Sequence, residues 1–358
     1  MRNLFLFATF LILSYSITYS QEEDSTHSQE EDSTLVVAED QEAELAYNNG
    51  IDNFNSKNYE AALSNFDEAI QLKPDFAKAF FNRGSVKMEL QQYDGAISDF
   101  DKATELDETI INAYYNRGRA KHLNKDNQGA LADYAIAIEK GLKEPKVYYY
   151  SGLIKFQAED YKGAIEDYTQ AIMLDSKYAY AYNDRGSAKR QIEDYDGAIA
   201  DYNQAIRLDP KMEFTYNNLG SVKRKKEDYD GAISSYNQAI QIKSDYYSAY
   251  NNRGSVKCDK KDYKGAIEDF KKAISIKDDY VFAHNNLGTA KMKLKDYKGA
   301  ITNFDKSIQI DPKYGYAYLN RGIAKEEMRN FDGACKDWQE AEKLGVKIAT
   351  TYLQECNH

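Results

Sequence analysis

A glycine recurs every 34 residues along this 358-residue chain, at Gly50, Gly84, Gly118, Gly152, Gly186, Gly220, Gly254, Gly288 and Gly322, with no insertion between any two. A fixed period of that length restricts the chain to a stack of one supersecondary unit, because each unit leaves an apolar face that only a neighbour can cover. Places within the unit are counted here so that this glycine is place 8. Nine units then start at residues 43, 77, 111, 145, 179, 213, 247, 281 and 315.

The unit reads as a helical hairpin. In the fifth unit Tyr195, Ala198, Ile199, Tyr202, Ala205 and Ile206 fall at helical spacing and predict an amphipathic second helix. Place 16 just before it is Asp in six units and Asn in two, residue types that accept a backbone N–H at a helix start. Tyr182 and Gly186 mark the first helix. A glycine inside a helix costs about 1 kcal/mol against alanine, and place 20 is alanine in all nine units, from Ala62 to Ala334. Together they predict a close approach of the two helices, with rings at places 4, 17 and 24 filling the remaining volume.

Charges vary together between the helices. Place 7 is Arg83, Arg117, Arg185, Arg253 and Arg321 in five units, and place 23 of the same units is Asp99, Asp133, Asp201, Asp269 and Asp337. A salt bridge inside each unit would explain this, with the place-11 lysine one turn away. A solvated charged face copied by duplication would leave the same pattern.

These residues resemble the tetratricopeptide repeat family: the 34-residue length, an aromatic at place 4, Gly at 8, Ala at 20, Phe or Tyr at 24, a small residue at 27 and, in three units, Pro74, Pro210 and Pro312 at place 32. The match covers residues 43–348. It implies an all-α fold, a right-handed α-solenoid or superhelix of nine helix-turn-helix hairpins, and a scaffold that binds a protein or an extended peptide. One departure is place 11, usually large and apolar or aromatic, which is lysine in units two to nine, Lys87 through Lys325. Residues 349–358 read as a capping helix over the last apolar face.

Ahead of the repeats, Arg2, the run LFLFATFLIL and the polar SYSITYS read as a signal peptide over residues 1–20. Its apolar core is shorter than the ~20 residues of a membrane span. No cysteine stands near the cleavage point, so the expectation is a secreted or periplasmic protein with no lipid anchor and no stable membrane insertion after cleavage. Residues 21–42, with the duplication QEEDSTHSQEEDST, read as an acidic disordered spacer. Residues 21–44 hold ten carboxylates and no basic residue; with Arg2 they supply −9 of the net charge of −11, leaving −2 for the rest.

A body so near neutrality lacks the basic stripe that nucleic acid requires. His27, His122, His284 and His358 make no metal-ligand spacing, and the repeat accounts for the glycines, leaving no phosphate loop or nucleophile elbow. The expectation is a non-enzymatic protein without cofactor or metal. Cys335 and Cys356 lie ten residues before and eleven after Gly345, so an antiparallel turn brings them level. In an oxidising compartment they are expected to form a disulfide; otherwise they are two buried thiols. Cys258 has no candidate partner.

Places 2, 5, 6, 9 and 13 form a second stripe on the first helix, and in tetratricopeptide superhelices this face lines the concave groove. Place 6 is asparagine in seven units, Asn48, Asn82, Asn116, Asn218, Asn252, Asn286 and Asn320, interrupted by Tyr150 and Asp184. An amide donates and accepts, so such a row can pair with an extended backbone of almost any sequence. It resembles the asparagine ladder of long superhelical family members and not the carboxylate clamp, because no unit has lysine at place 5. Place 5 changes from Tyr47, Phe81, Tyr115 and Tyr149 to Asn183, Asn217, Asn251 and Asn285, and place 12 from Phe54, Met88 and Phe156 to Arg190 and Arg224. The expected site is an apolar anchor in the first half and sequence-tolerant backbone binding in the second. Asparagines that bond locally, and rings that pack on one another, would give the same sequence. The alternative function is a self-assembling structural component of the cell envelope.

Overall fold

The computed structural model describes residues 30–357, and all regular structure among them is helical. The chain divides into two bodies between Glu159 and Asp160, each taken here by itself. The first holds α1 (Glu30–Asn55), α2 (Tyr59–Leu72), α3 (Ala77–Glu89), α4 (Tyr93–Leu106), α5 (Ile111–Leu123), α6 (Asn127–Glu139) and α7 (Pro145–Gln157). The second holds α8 (Tyr161–Leu174), α9 (Ala179–Gln191), α10 (Tyr195–Leu208), α11 (Glu213–Lys225), α12 (Tyr229–Ile242), α13 (Tyr247–Asp259), α14 (Tyr263–Ile276), α15 (Val281–Lys293), α16 (Tyr297–Ile310), α17 (Gly315–Glu327), α18 (Phe331–Lys343), α19 (Ala349–Leu353) and a closing 3-10 turn, Gln354–Asn357. Within each body every helix packs on the next, and first helices also touch first helices. The signal peptide and residues 21–29 of the spacer lie outside the described residues. The rest of the spacer is not irregular: α1 begins at Glu30 and runs without a break into the first repeat.

Each hairpin bends in the same way. Place 15 takes a left-handed φ of 60–69° in all nine units although it is never glycine. The place-16 side chain then accepts from the N–H at place 19, as Asp194 does from Gly197, in units three to nine. In the six aspartate-capped units a Cβ at place 19 would sit 2.0–2.2 Å from Oδ2, the carboxylate oxygen that does not cap, so glycine fits there without displacing the capping side chain. Asn58 and Gln92 make no such cap.

The sequence pointed to alanine at place 20 as the partner of the place-8 glycine. The ring at place 24 makes the tightest contact, and the place-20 backbone is close too, with Ala130 O and Ala198 O at 3.1 and 3.2 Å from a Cβ on Gly118 and Gly186. A Cβ on Gly84, Gly254 or Gly288 would lie 2.6–2.8 Å from Cε1 of Phe100, Phe270 or Phe304. Those rings are wholly or almost wholly buried, and the alanines at place 20 lie beside them with no exposed surface. Places 3 and 10 carry each hairpin onto the one before: Ala79 and Val86 join the core of unit one, and Val256 that of unit six. At α1, which opens the repeats, the same places are Leu45 and Asp52, both exposed.

The covarying charges meet. In all five units the arginine grips its aspartate with two nitrogens, at 2.9–3.0 Å from Nε and 2.5–2.6 Å from Nη2. The place-11 lysine adds a contact of 2.7–2.8 Å to the same carboxylate. The remaining arginine nitrogen reaches back to place 25 of the preceding unit, to Asp67, Asp101, Thr169, Asn237 or Asp305. These lysines replace the family's usual apolar residue because they help neutralise a buried aspartate. Burial opposes the charge on Arg321, but the carboxylates of Asp337 and Asp305 outweigh it and hold the guanidinium above its ordinary range. Unit one substitutes a neutral version, with Asn53 Nδ2 donating to Asn65 Oδ1 at 2.9 Å.

At the C-terminus α19 and the 3-10 turn lie on α17 and α18. Trp338 packs on Tyr352 with ring centroids 5.1 Å apart, and the sulfurs of Cys335 and Cys356 are at disulfide distance, 2.02 Å.

Candidate functional site

The first-helix face at places 2, 5, 6, 9 and 13 differs between the two bodies. In the first, Tyr47, Phe81, Tyr115 and Tyr149 are only 2–9% exposed. Tyr47, Phe81 and Tyr115 lie 5.9–6.1 Å from the place-24 rings of Phe66, Phe100 and Tyr134. These rings therefore present little surface to a partner: the helices approach so closely at glycine that a ring at place 5 is drawn into the core. Burial pushes the Tyr47 hydroxyl up to about 12, against the bond it accepts from Asn82 Nδ2 at 2.8 Å. Asn82 and Asn116 are buried too, while Asn48 is exposed.

In the second body place 5 is asparagine in units five to eight and Leu319 in unit nine, and three of the four asparagines are equally buried, at 4–6% for Asn183, Asn251 and Asn285. The amides at places 5 and 6 form one directed chain. Asn320 Nδ2 donates to Asn285 Oδ1 at 2.9 Å, Asn285 to Asn286 at 3.4 Å, Asn286 to Asn251 at 3.0 Å, Asn251 to Asn252 at 3.4 Å and Asn252 to Asn217 at 3.0 Å. Asn218 continues the pattern to Asn183 at 3.3 Å, where Thr215 also donates. So the asparagines expected to meet a ligand first tie each repeat to the one before. Each place-6 amide spends one N–H on this chain and keeps the other, because an amide nitrogen carries two hydrogens. Asn218, Asn252, Asn286 and Asn320 are half-buried.

Place 9 below the amides is Ser187, Ser221, Ser255 and Thr289, whose hydroxyls donate to the carbonyls of the place-5 residues. At place 12, Arg224 of α11 pairs with Asp259 of α13, the first helix of the next repeat, at 2.6 Å. Beside them burial pushes the Cys258 thiol up to about 11, leaving it protonated and unreactive at neutral pH.

Place 2 of this face and place 34 beside it carry further rings, of which Phe282 and Tyr316 are exposed and Tyr180, Phe214, Tyr280 and Tyr314 half-buried. Tyr180 stacks on Phe214 at 6.0 Å, and Tyr280, Phe282, Tyr314 and Tyr316 touch in turn. Their signal is an aromatic-x-aromatic motif across the unit boundary, Tyr178-x-Tyr180, Tyr280-x-Phe282 and Tyr314-x-Tyr316, at the same 34-residue period.

Comparison with known proteins gives a consistent answer. A family model described as TPR repeat matches residues 84–125, 152–191, 186–225, 220–258 and 254–295, and one described as tetratricopeptide repeat matches 281–314. None of the curated proteins matches the chain. Similar solved structures include a tetratricopeptide repeat protein from Parabacteroides merdae, 15% identical with TM-score 0.59, covering 69% of this chain and 99% of that one. The C-terminal part of a TPR repeat-containing protein from Cytophaga hutchinsonii is 19% identical with TM-score 0.55, covering 67% and 98%. Yeast Tom70 is 15% identical with TM-score 0.52, covering 92% and 93%. At these identities the likeness concerns fold alone.

Proposed function

This chain belongs to the tetratricopeptide repeat family, and we propose that it is a non-enzymatic scaffold outside the cytoplasm, binding a protein partner through an extended segment laid along the place-2, place-6 and place-9 face of the second body. The observation that carries this is the row of half-buried amides at Asn218, Asn252, Asn286 and Asn320, each fixed by one bond to its neighbour and left with an N–H to offer. Fixed donors lose little entropy on binding, and a backbone reader tolerates many sequences. Export is supported by Cys335 and Cys356 at disulfide distance, since such bonds persist in oxidising compartments. End-to-end assembly finds little support at α1, where Asp52 stands in a place filled by Val86, Ala188 or Val256 elsewhere. A second copy stacking there would bury an unpaired carboxylate.

Two variants test the groove. Asn218, Asn252 and Asn286 replaced together by Ala remove the spare donors; Thr289→Arg blocks the face and leaves the amides in place, and arginine is native at this place in unit three as Arg119. Crosslinking in the native compartment should lose the partner in both while thermal melting shows them folded. Capture retained by both folded variants would place the partner elsewhere. Fractionation that finds the protein in the cytoplasm with three free thiols would sink the export reading.

A further inference from the structure

The short cap on the ninth hairpin is held by a bond that redox chemistry can open. Counted on from Gly322, residues 349–358 are places 1 to 10 of a tenth unit, and Cys356 stands at the glycine place. Its partner Cys335 is at place 21, which is Ile or Leu in the eight other units. Apart from that bond the cap has little to hold it. α19 is five residues long with no side chain capping its start, well below the about 12–15 residues at which an isolated helix becomes even marginal. Place 3, fully buried in units two to nine, is here Thr351, and it is exposed. What the cap does cover is apolar: Tyr352 packs on Trp338, and Ala349 joins Leu319, Ala341 and Val346.

One contact works against docking. Glu326 of α17 meets Glu355 of the 3-10 turn, and burial, the hydrogen bond with Glu355 and the charges of Glu355 and Glu327 push the Glu326 carboxyl above its ordinary range. Ionised, these carboxylates repel across the seam, and the adjacent Lys325 is already engaged by Asp337 at 2.7 Å.

We propose that Cys335 and Cys356 are a redox latch: bonded, they keep the cap on the ninth hairpin against the carboxylates, and reduced, they let it leave, uncovering the apolar face around Trp338 while the repeats stay folded. Closing the latch takes the disulfide of an oxidoreductase or a small molecule. One cysteine thiolate attacks a donor sulfur and breaks the donor's bond; the other then displaces that sulfur and forms the Cys335–Cys356 bond. Two electrons pass to the donor, which becomes a dithiol and takes up the two protons the cysteines lose. A dithiol reductant runs the same exchange backwards, and both cysteines are half-buried, not sealed in the core.

Trp338 is the one tryptophan of the chain, so its fluorescence reads the seam directly. Dithiothreitol should raise acrylamide quenching of Trp338 in the intact chain and speed amide exchange over residues 349–357 roughly thirtyfold or more, the loss expected with a disulfide. Exchange in the repeats and far-ultraviolet circular dichroism should hold. Cys356→Ser should behave in the same way without reductant. Reduced Glu355→Gln should exchange over the cap about threefold more slowly than the reduced parent. Trp338 still shielded and the cap amides still slow, in reduced parent and Cys356→Ser alike, would overturn the proposal, because the bond would then tie down a cap already stable. Helix lost throughout the chain on reduction overturns it too, since the repeats would depend on the bond. Equal cap exchange in reduced parent and reduced Glu355→Gln overturns the role given to the carboxylates.

Discussion

The two bodies are built from one repeat and fill the same buried place in opposite ways. At place 5 the first body has tyrosine or phenylalanine and the second asparagine in all units but the last, where it is Leu319, yet Phe81 at 8% and Asn285 at 6% are equally hidden. Rings fill the seam by area and contact, which depends little on register. Amides fill it only by completing a chain of hydrogen bonds that alternates between a bond within one repeat and a bond to the repeat before. A buried amide that loses its partner costs about 1–3 kcal/mol, so the second body is held in register by a network in which no member is spare. The result is a row of half-buried place-6 amides held in one orientation by their neighbours.

The sharpest way to break that comparison is to truncate place 5 in each body. Phe81→Ala should destabilise the first body by about 3–5 kcal/mol through the cavity it leaves. Asn285→Ala should cost about 1–3 kcal/mol, because it strands the donor of Asn320 and the acceptor of Asn286. Hydrogen exchange resolved by repeat would measure both; equal losses would mean that the amide chain is no more than filler.

The arginine clamp is common to both bodies and provides the control. Arg117→Met and Arg253→Met should each cost about 3 kcal/mol, since each leaves an aspartate under 6% exposed with only a lysine to balance it. Replacing Arg253 by Leu together with Asp269 by Ser copies what unit six carries at Leu219 and Ser235. That double variant should recover most of the loss, to within about 1 kcal/mol of the parent. A double variant as unstable as the single one would show that the pair contributes net stability and is not merely self-compensating.

The smallest effect is a gain shared by both bodies. Lys125→Gly and Glu193→Gly should each raise stability by up to about 1 kcal/mol, because both residues hold a left-handed φ, 69° and 63°, that disfavours a Cβ. A loss at either site would mean that the side chain does more at the turn than the strained backbone costs.

Period alone determined most of the architecture. Nine glycines in register, apolar residues at helical spacing and Asp at place 16 are local facts, repeated often enough that chance is excluded, and they gave the hairpins, their order and the caps; the covariation of places 7 and 23 left a clamp and a solvated face both open until packing decided it. The level placement of Cys335 and Cys356 followed from counting residues across one turn. Which side chains face a partner did not follow, because a helical stripe fixes direction around one helix and not how far the neighbouring helix intrudes on it. Only packing showed that Gly84 lets Phe100 in so far that Phe81 becomes core, and that Asn252 and Asn286 answer to Asn217 and Asn251 before any ligand. The exposure of Phe282 and Tyr316 was settled in the same way: burial is a property of the neighbours, and in a stacked repeat every residue borrows its neighbours from the next unit.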